Sequence, residues 1–416
     1  MRRHFTLRRT SAVLLLAGLA LAVPNAAAAA DEDPPVQASV ASARATIAGY
    51  PVWAHFNDPR TAGGDDNTIH LELERLINNA PTGSTIRGTI HSLSIDSVAK
   101  ALTNAENNRQ VNVYIVIDGK NLDSTDSGVA ELKKLKNHKF CTYGSGRACI
   151  STSADGDMHT KMFTFTATKD PSGVDRTNVS WFGSANLTYQ TGPRSFNNTI
   201  TVYGDAALMN GLNANFNDMY NRRHYSGNDY YDADSGRGYY QAAAADAYAS
   251  PEADGQTDTI NTRLNDATPD ADCRLRIGMS FVTAGRPRIT SLVKRFANAG
   301  CKVWIVVGST DAKEINMTKS VYTELLDAGV KIRRMDMVHD KFFALYAKFG
   351  SAYQYRVYTG SQNWSQDALS ENEEIFVKMA PESGSTHPLY DGFYAHFNDA
   401  YNYGVTCTTS NYPCKS

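Results

Sequence analysis

The sequence has no apolar segment of the roughly 20 residues that a membrane-spanning helix needs, since the run Ala12–Val23 has only twelve residues. It also lacks a clear excess of one charge, because 41 Lys and Arg residues face 43 Asp and Glu residues. Thirty Gly and 14 Pro residues are too few for a collagen-like or wholly disordered chain. These absences exclude a polytopic membrane protein and disfavour a protein that grips duplex nucleic acid over a wide basic face. A local basic groove is still compatible with this composition.

The first 30 residues are typical of a cleaved secretory signal. They contain four arginines and no acid, then the apolar run, then the small residues Ala28, Ala29 and Ala30 before Asp31. An uncleaved anchor fits less well, because twelve apolar residues are too few to span a bilayer. We therefore expect cleavage near Ala30 and a secreted, extracellular protein that is acidic overall.

The six cysteines agree with export, because disulfides form in oxidising compartments. Six cysteines allow fifteen pairings, and their spacing favours three local pairs: Cys141 with Cys149, Cys273 with Cys301, and Cys407 with Cys414. No group of Cys and His has the spacing of a zinc site, so no metal is expected.

An internal repeat organises the chain. Each copy has an apolar β-branched run, an amphipathic helical stretch and a second apolar run, which predicts a βαβ unit on a parallel sheet. The runs are Thr85–Ile90 and Val111–Ile117 in the first copy, and Leu275–Met279 and Lys302–Val307 in the second. We predict an α/β fold with an N-terminal lobe at 45–224, a connector at 225–258 and a C-terminal lobe at 259–416.

Two short motifs recur in the same order in both lobes. His159-Thr-Lys161 recurs as His339-Asp-Lys341, and Gly183-Ser-Ala-Asn186 recurs as Gly360-Ser-Gln-Asn363. Alternate residues of a strand share a face, so each His and Lys point together. Turn signals then predict a hairpin whose second strand returns Ser and Asn beside them. An imidazole, an ammonium, a hydroxyl and a carboxamide together suit a phosphate group.

The doubled pattern, at residues 159–186 and 339–363, resembles that of the phospholipase D superfamily. The resemblance runs from about His55 to Tyr401 and implies two α-β-α lobes related by a pseudo-twofold axis, with one active site at their interface. It also implies a cofactor-free and metal-independent mechanism through a phosphohistidine, with His159 as nucleophile and His339 as general acid and base. An alcohol in place of water would exchange head groups.

The resemblance also implies roles for the neighbouring residues. Lys161, Lys341, Asn186 and Asn363 would bind the phosphate, with Ser184 and Ser361 beside it. Two positions depart from the fuller family signature, because Thr166 and Tyr346 stand where it has Asp, as also occurs in the tyrosyl-DNA phosphodiesterase branch.

A further difference separates the lobes. Matching Phe196–Ile200 with Glu371–Ile375 places Thr199 opposite Glu374, so only the second lobe supplies a carboxylate. That carboxylate could hold one imidazole and stabilise its charged form. The two histidines are therefore expected to differ in pKa, although the sequence does not say which of them Glu374 serves.

Three functions fit the pattern, and the first is a secreted, monomeric phospholipase D acting at a lipid surface. The second is a secreted nuclease, for which Arg87, Lys100, Lys133, Lys134 and Lys136 form the one early basic cluster. The third is a binding protein without activity, which fits less well because both copies of both motifs are intact. Charge and aromatic content favour the first.

Overall fold

The computed structural model describes residues 41–60, 63–253, 255 and 257–415. The predicted signal peptide, residues 1–30, lies outside this part of the chain. Among the described residues we find no helix with the length and hydropathy of a membrane span.

The first lobe is built on an eight-stranded sheet with the strand order β1-β2-β8-β7-β6-β3-β4-β5. Its elements are β1 (Ser42–Ile47), β2 (Tyr50–Asn57), α1 (Thr68–Asn78), β3 (Thr85–Ile90), α2 (Asp96–Arg109), β4 (Asn112–Ile117), α3 (Ser127–Leu132), β5 (Asn137–Phe140), β6 (Met162–Lys169), β7 (Asp175–Gly183), β8 (Asn197–Tyr203) and α4 (Ala206–Tyr220). Strands β3 and β4 are parallel, and β6 and β7 form an antiparallel hairpin, as the sequence predicts.

The second lobe repeats this plan on a nine-stranded sheet with the order β17-β13-β12-β11-β14-β15-β16-β10-β9. Its elements are β9 (Tyr239–Gln241), β10 (Ala245–Ala249), α5 (Thr259–Asn265), β11 (Arg274–Met279), α6 (Pro287–Asn298), β12 (Lys302–Val307), α7 (Lys319–Asp327), β13 (Lys331–Arg334), β14 (Lys341–Phe349), β15 (Ala352–Gly360), α8 (Gln366–Ser370), β16 (Ile375–Met379), α9 (Pro388–Tyr403) and β17 (Val405–Thr406). The sheets correspond strand by strand from β3, β4, β6, β7 and β8 to β11, β12, β14, β15 and β16.

The helices lie in layers on both faces of the sheets. Helices α1 and α2 pack on the outer face of the first sheet, and α5, α6 and α7 on that of the second. Helices α4 and α9 lie between the sheets, in one core cluster that draws apolar residues from both lobes. The α/β fold with two α-β-α lobes is therefore confirmed.

The segment between the lobes contributes strands of its own. Strands β9 and β10 come from the predicted connector, and β10 pairs with β16 as β2 pairs with β8 in the first lobe. The three predicted disulfides, Cys141–Cys149, Cys273–Cys301 and Cys407–Cys414, are confirmed.

A buried ion pair holds one of the motifs in place. The Arg286 guanidinium donates to both oxygens of Asp258 (2.7 and 3.1 Å) and to the Asn363 carbonyl (3.2 Å). Arg286→Met leaves the Asp258 carboxylate buried without its cation, so we expect the free energy of unfolding to fall by about 3–5 kcal/mol. Chemical denaturation measures this loss. The double change Arg286→Met, Asp258→Asn removes both charges and keeps an N-cap for the Asn261 N–H, so it should recover most of the loss. No recovery would contradict the ion-pair explanation.

Candidate active site

The two lobes exchange backbone hydrogen bonds next to each H-x-K motif. The His159 N–H donates to the Glu373 carbonyl of the second lobe (2.9 Å), and the His339 N–H donates to the Phe196 carbonyl of the first (3.0 Å). Each histidine therefore lies just before a strand, β6 or β14, in a segment that is bonded to the opposite lobe, and both side chains lie at the interface between lobes.

The His159 imidazole is held by a carboxylate from the opposite lobe. Its Nδ1 lies 2.7 and 2.8 Å from the two carboxylate oxygens of Glu374, whose side chain is fully buried. Burial raises the pKa of Glu374 to about 7, and burial with the nearby Lys161 ammonium lowers the pKa of His159. Because Nδ1 faces the carboxylate, Nε2 is the nitrogen left for a substrate.

The His339 imidazole is held by an uncharged amide instead. Its Nδ1 lies 3.0 Å from Asn197 Oδ1, which also accepts from the Ser184 hydroxyl at 2.9 Å. The Asn197 amide nitrogen donates to the backbone carbonyls of Thr191, Gly192 and Ser195, which fixes the amide orientation. An accepting oxygen requires that the Nδ1 of His339 carries the proton.

This geometry corrects the predicted match between the lobes. The counterpart of Glu374 is Asn197, two residues before the predicted Thr199, because Thr199 pairs with Gly183 as Phe376 pairs with Gly360. The hydrogen bonds between the strands set the register, whereas the predicted match relied on similar asparagines near the strand. The predicted difference in charge between the lobes nevertheless holds, since Asn197 is neutral.

The positions that lack the signature aspartate make other contacts. The Thr166 hydroxyl accepts a hydrogen bond from the Thr85 N–H (2.8 Å), and the Tyr346 ring stacks on Tyr353. Glu374 and Asn197 thus supply the hydrogen-bond partners of the two imidazoles.

The two motif lysines are buried at the same interface. Lys161 Nζ donates to the His159 carbonyl (2.5 Å) and Lys341 Nζ to the His339 carbonyl (2.6 Å). Burial lowers the pKa of both, that of Lys341 to about 7. Each lysine also lowers the pKa of both histidines, and the Glu374 carboxylate acts in the opposite direction on the pKa of both lysines. These groups therefore form one electrostatic site.

The remaining motif residues divide into two kinds. The Oδ1 atoms of Asn186 and Asn363 are buried with no hydrogen-bond partner among the described residues. The Ser184 hydroxyl accepts from the Asn198 N–H and the Ser361 hydroxyl from the Ile375 N–H, both at 3.0 Å. The serines therefore fix the strands that carry Asn197 and Glu374.

Three residues that the sequence analysis missed form a cluster that contacts His159 through His91. The His91 ring meets the His159 ring edge-on at 4.3 Å, and its Nε2 contacts Lys120 Nζ at 2.5 Å. Asp118 lies 3.5 Å from His91 Nδ1. His91 and Asp118 directly follow β3 and β4, and polar residues at the carboxyl ends of parallel strands were the available signal.

Inorganic phosphate is expected to stabilise the protein through the lysines. Lys341, whose pKa burial lowers to about 7, is charged below that pH, and burial lowers the pKa of Lys161 as well. A bound anion favours the charged form of both ammonium groups and so stabilises the folded state. We expect phosphate to raise the melting temperature at pH 6.5 by about 1–3 °C.

The variant Lys341→Met should melt no lower than the native protein without phosphate and should lose most of the shift. Lys348→Met, which removes an exposed lysine, is the control. Scanning fluorimetry measures the shift, and an undiminished shift in Lys341→Met would contradict phosphate binding here.

The comparisons with known proteins identify the family of the chain. The family model "Cardiolipin synthase, PLD-like domain" matches residues 73–220 and 263–398, more than half of the chain. The chain therefore belongs to the phospholipase D superfamily, whose members are phosphodiesterases and phosphotransferases. A search among curated proteins found no match.

One solved structure shows the same fold, and two others match with lower scores. Phosphatidylserine synthase from Haemophilus influenzae Rd KW20 is similar with a TM-score of 0.57 and 11% identity, over 85% of this chain and 87% of that one. Nuc from Salmonella typhimurium matches with a TM-score of 0.31 and 20% identity, over 39% of this chain and 97% of its own. Yeast tyrosyl-DNA phosphodiesterase matches with a TM-score of 0.41 and 13% identity, over 70% and 81%.

Proposed function

We propose that the protein is a secreted phospholipase D that transfers a phosphatidyl group to His159 and then to water. The observation that carries the proposal is the asymmetric support of the two histidines: a buried carboxylate holds His159, and a neutral amide holds His339. A histidine that takes on a phosphoryl group becomes cationic at the ring, and the Glu374 carboxylate stabilises that charge.

The first step forms a bond between His159 Nε2 and phosphorus and breaks the bond from phosphorus to the head-group oxygen. Protonated His339 gives the proton from its Nε2 to that oxygen, so the head group leaves as a neutral alcohol. The phosphodiester bound beside Lys161 and Lys341 balances their charge, which raises the pKa of His339 and favours its protonated form.

The second step regenerates the site. Water attacks phosphorus, neutral His339 takes its proton, and the bond from phosphorus to His159 breaks to release phosphatidic acid. An alcohol in place of water gives a new phosphodiester by the same route, so head-group exchange is expected with added alcohol.

The distribution of charged side chains favours a lipid substrate over a nucleic acid. In the predicted basic cluster, Lys100 pairs with Asp96 and Lys134 with Glu131, while Lys133 donates to a backbone carbonyl. A cleft beside His339 is lined by Asp311, Asp336 and Lys313, so its charged side chains include no cationic excess that would attract a polyanion.

The test compares substrate classes in excess EDTA. Vesicles of phosphatidylcholine, phosphatidylethanolamine and phosphatidylglycerol, and a single-stranded DNA oligonucleotide, are each incubated with the protein and with His159→Ala. We expect phosphatidic acid and free head group from lipid, intact DNA, and phosphatidylethanol when ethanol is added. Cleavage of DNA alone would replace the proposal by a nuclease, and no cleavage by folded protein would favour a binding protein.

A further inference from the structure

The middle residue of the second H-x-K motif, Asp340, has a buried carboxylate. Its side chain is 1% exposed. Adjacent residues of an extended chain point to opposite faces, so this carboxylate points into the core and away from the face that carries His339 and Lys341. The first lobe has Thr160 in this position, and its hydroxyl donates to the Glu373 carbonyl (3.0 Å). Only the second motif therefore places a charge here.

Two side chains from different parts of the chain hold this carboxylate. Asp340 Oδ1 accepts from the side-chain amide of Asn198, on β8 of the first lobe (2.6 Å). Asp340 Oδ2 lies 2.9 Å from His396 Nε2, on α9. The His396 ring is itself buried and stacks on Phe56 at 4.8 Å. The contacts thus lie in an apolar part of the core that excludes water.

The contact between Asp340 and His396 is an ion pair. Burial alone would lower the pKa of His396. The charge and hydrogen bond of Asp340, together with the charges of Asp399 and Asp58, outweigh burial and raise that pKa above its ordinary value. The protonated ring donates from Nε2, so the bond to Asp340 is charge-assisted and stronger than a bond between neutral groups.

The Asp340 carboxylate completes a closed ring of bonds around His339. Asp340 follows His339 in the chain, and Asn198 follows Asn197, whose Oδ1 lies 3.0 Å from His339 Nδ1. The hydrogen bond from Asn198 to Asp340 therefore closes the ring between the lobes. Asn198 is fixed in turn, because its Oδ1 accepts from the Thr359 hydroxyl (2.5 Å). The imidazole and the amide that holds it are thus kept in one relative position.

His339 needs this support more than His159 does. Two oxygens of a carboxylate hold the His159 ring, whereas one neutral amide oxygen holds the His339 ring. A hydrogen bond between neutral groups contributes less than one to a charged group. Proton transfer to a leaving oxygen also depends on an exact approach of the acid, so a loosely held ring would be a poor acid.

We propose that Asp340 is a positioning residue for His339, that it acts through Asn198, and that His396 is the cation that pairs with it in the core. The proposal rests on the proposed function and deepens it, because it assigns support to the histidine that protonates the leaving group. Asp340 contacts no substrate and transfers no proton to it.

The test uses two substrates that differ in their need for His339. Choline release from dihexanoyl phosphatidylcholine requires a proton from His339, whereas the first turnover of a 4-nitrophenyl phosphodiester requires only the attack by His159. We expect Asp340→Ala to release choline about 10–100-fold more slowly at saturating lipid, with little change in KM. Its first release of 4-nitrophenolate should stay within about twofold of the native rate.

Two further variants separate positioning from general damage to the fold. Asp340→Asn keeps an oxygen that can accept from Asn198, so choline release should stay within about fivefold of native. Asn198→Ala opens the ring from the first lobe and leaves the ion pair of Asp340 with His396 in place. It should repeat the kinetic pattern of Asp340→Ala, and it decides the test if Asp340→Ala does not fold.

The matched control is Asp170→Asn, which removes another buried carboxylate, at the turn between β6 and β7 and paired with Arg176 (2.8 Å). It should slow neither reaction. Equal slowing of both reactions in Asp340→Ala and Asn198→Ala, or no slowing of choline release, would overturn the role of Asp340. If folded native protein releases neither choline nor 4-nitrophenolate, the proposed function itself fails, whatever the variants do.

Discussion

His159→Ala is expected to lower the rate of phosphodiester cleavage by about 10⁴-fold or more, whatever the leaving group. The imidazole supplies the nucleophile in the proposed mechanism, and its Nδ1 is held by the buried Glu374 carboxylate. The variant should keep its fold, because the backbone bond from residue 159 to the Glu373 carbonyl does not need the ring.

The effect of His339→Ala on the rate should instead depend on the leaving group. An alcohol head group needs a proton from His339, so its release should fall about 10²–10⁴-fold. A 4-nitrophenolate leaves without that proton, so a 4-nitrophenyl phosphodiester should give one rapid turnover and then stall, because the second step still needs His339 as base.

Stopped-flow absorbance measures the rapid turnover. His138→Ala, a histidine bonded only to a nearby carbonyl, is the control for loss of an imidazole. A rapid turnover in His159→Ala and not in His339→Ala would reverse the two roles.

Glu374→Gln is expected to lower kcat about 10²–10³-fold while the side chain keeps its size. The amide cannot balance the charge that develops on His159, and it can present the wrong hydrogen-bonding group to Nδ1. Asn197→Ala removes a neutral partner from His339, so its loss should be smaller, about tenfold.

The pH profile gives Glu374 a separate test. Its pKa is raised to about 7, chiefly by burial, while burial and the nearby lysines lower that of His159. The carboxylate is charged above pH 7 and protonated below it, so kcat/KM should fall as the pH drops through about 7. In Glu374→Gln this acid limb should disappear, and an unchanged limb would assign the titration to another group.

Much of this site is predictable from sequence because its signals are local. His159 and Lys161 lie two residues apart, turn residues mark the hairpins, and the same spacing recurs in the second lobe. Cys273 and Cys301 are joined because β11 and β12 are parallel neighbours, which the apolar runs already indicate.

The sequence does not predict which residues contact each other across the two lobes. The partners of His159 and His339 come from the opposite lobe, where register is set by ladder bonds to the G-S-x-N serines. Aligning the two copies by residue type therefore predicted Thr199, and not Asn197, as the counterpart of Glu374. The cleft beside His339 is bordered by loops of both lobes, so neither motif predicts it by itself.

The most direct measurement of the central claim is the location of the covalent intermediate. His339→Ala is mixed with a 4-nitrophenyl phosphodiester, quenched in base to preserve a phosphohistidine, digested and mapped by mass spectrometry. We expect a phosphodiester-derived adduct on His159 in a stoichiometric amount, and none in the double variant with His159→Ala. An adduct on any other residue, or nitrophenolate release with no adduct at all, would contradict it.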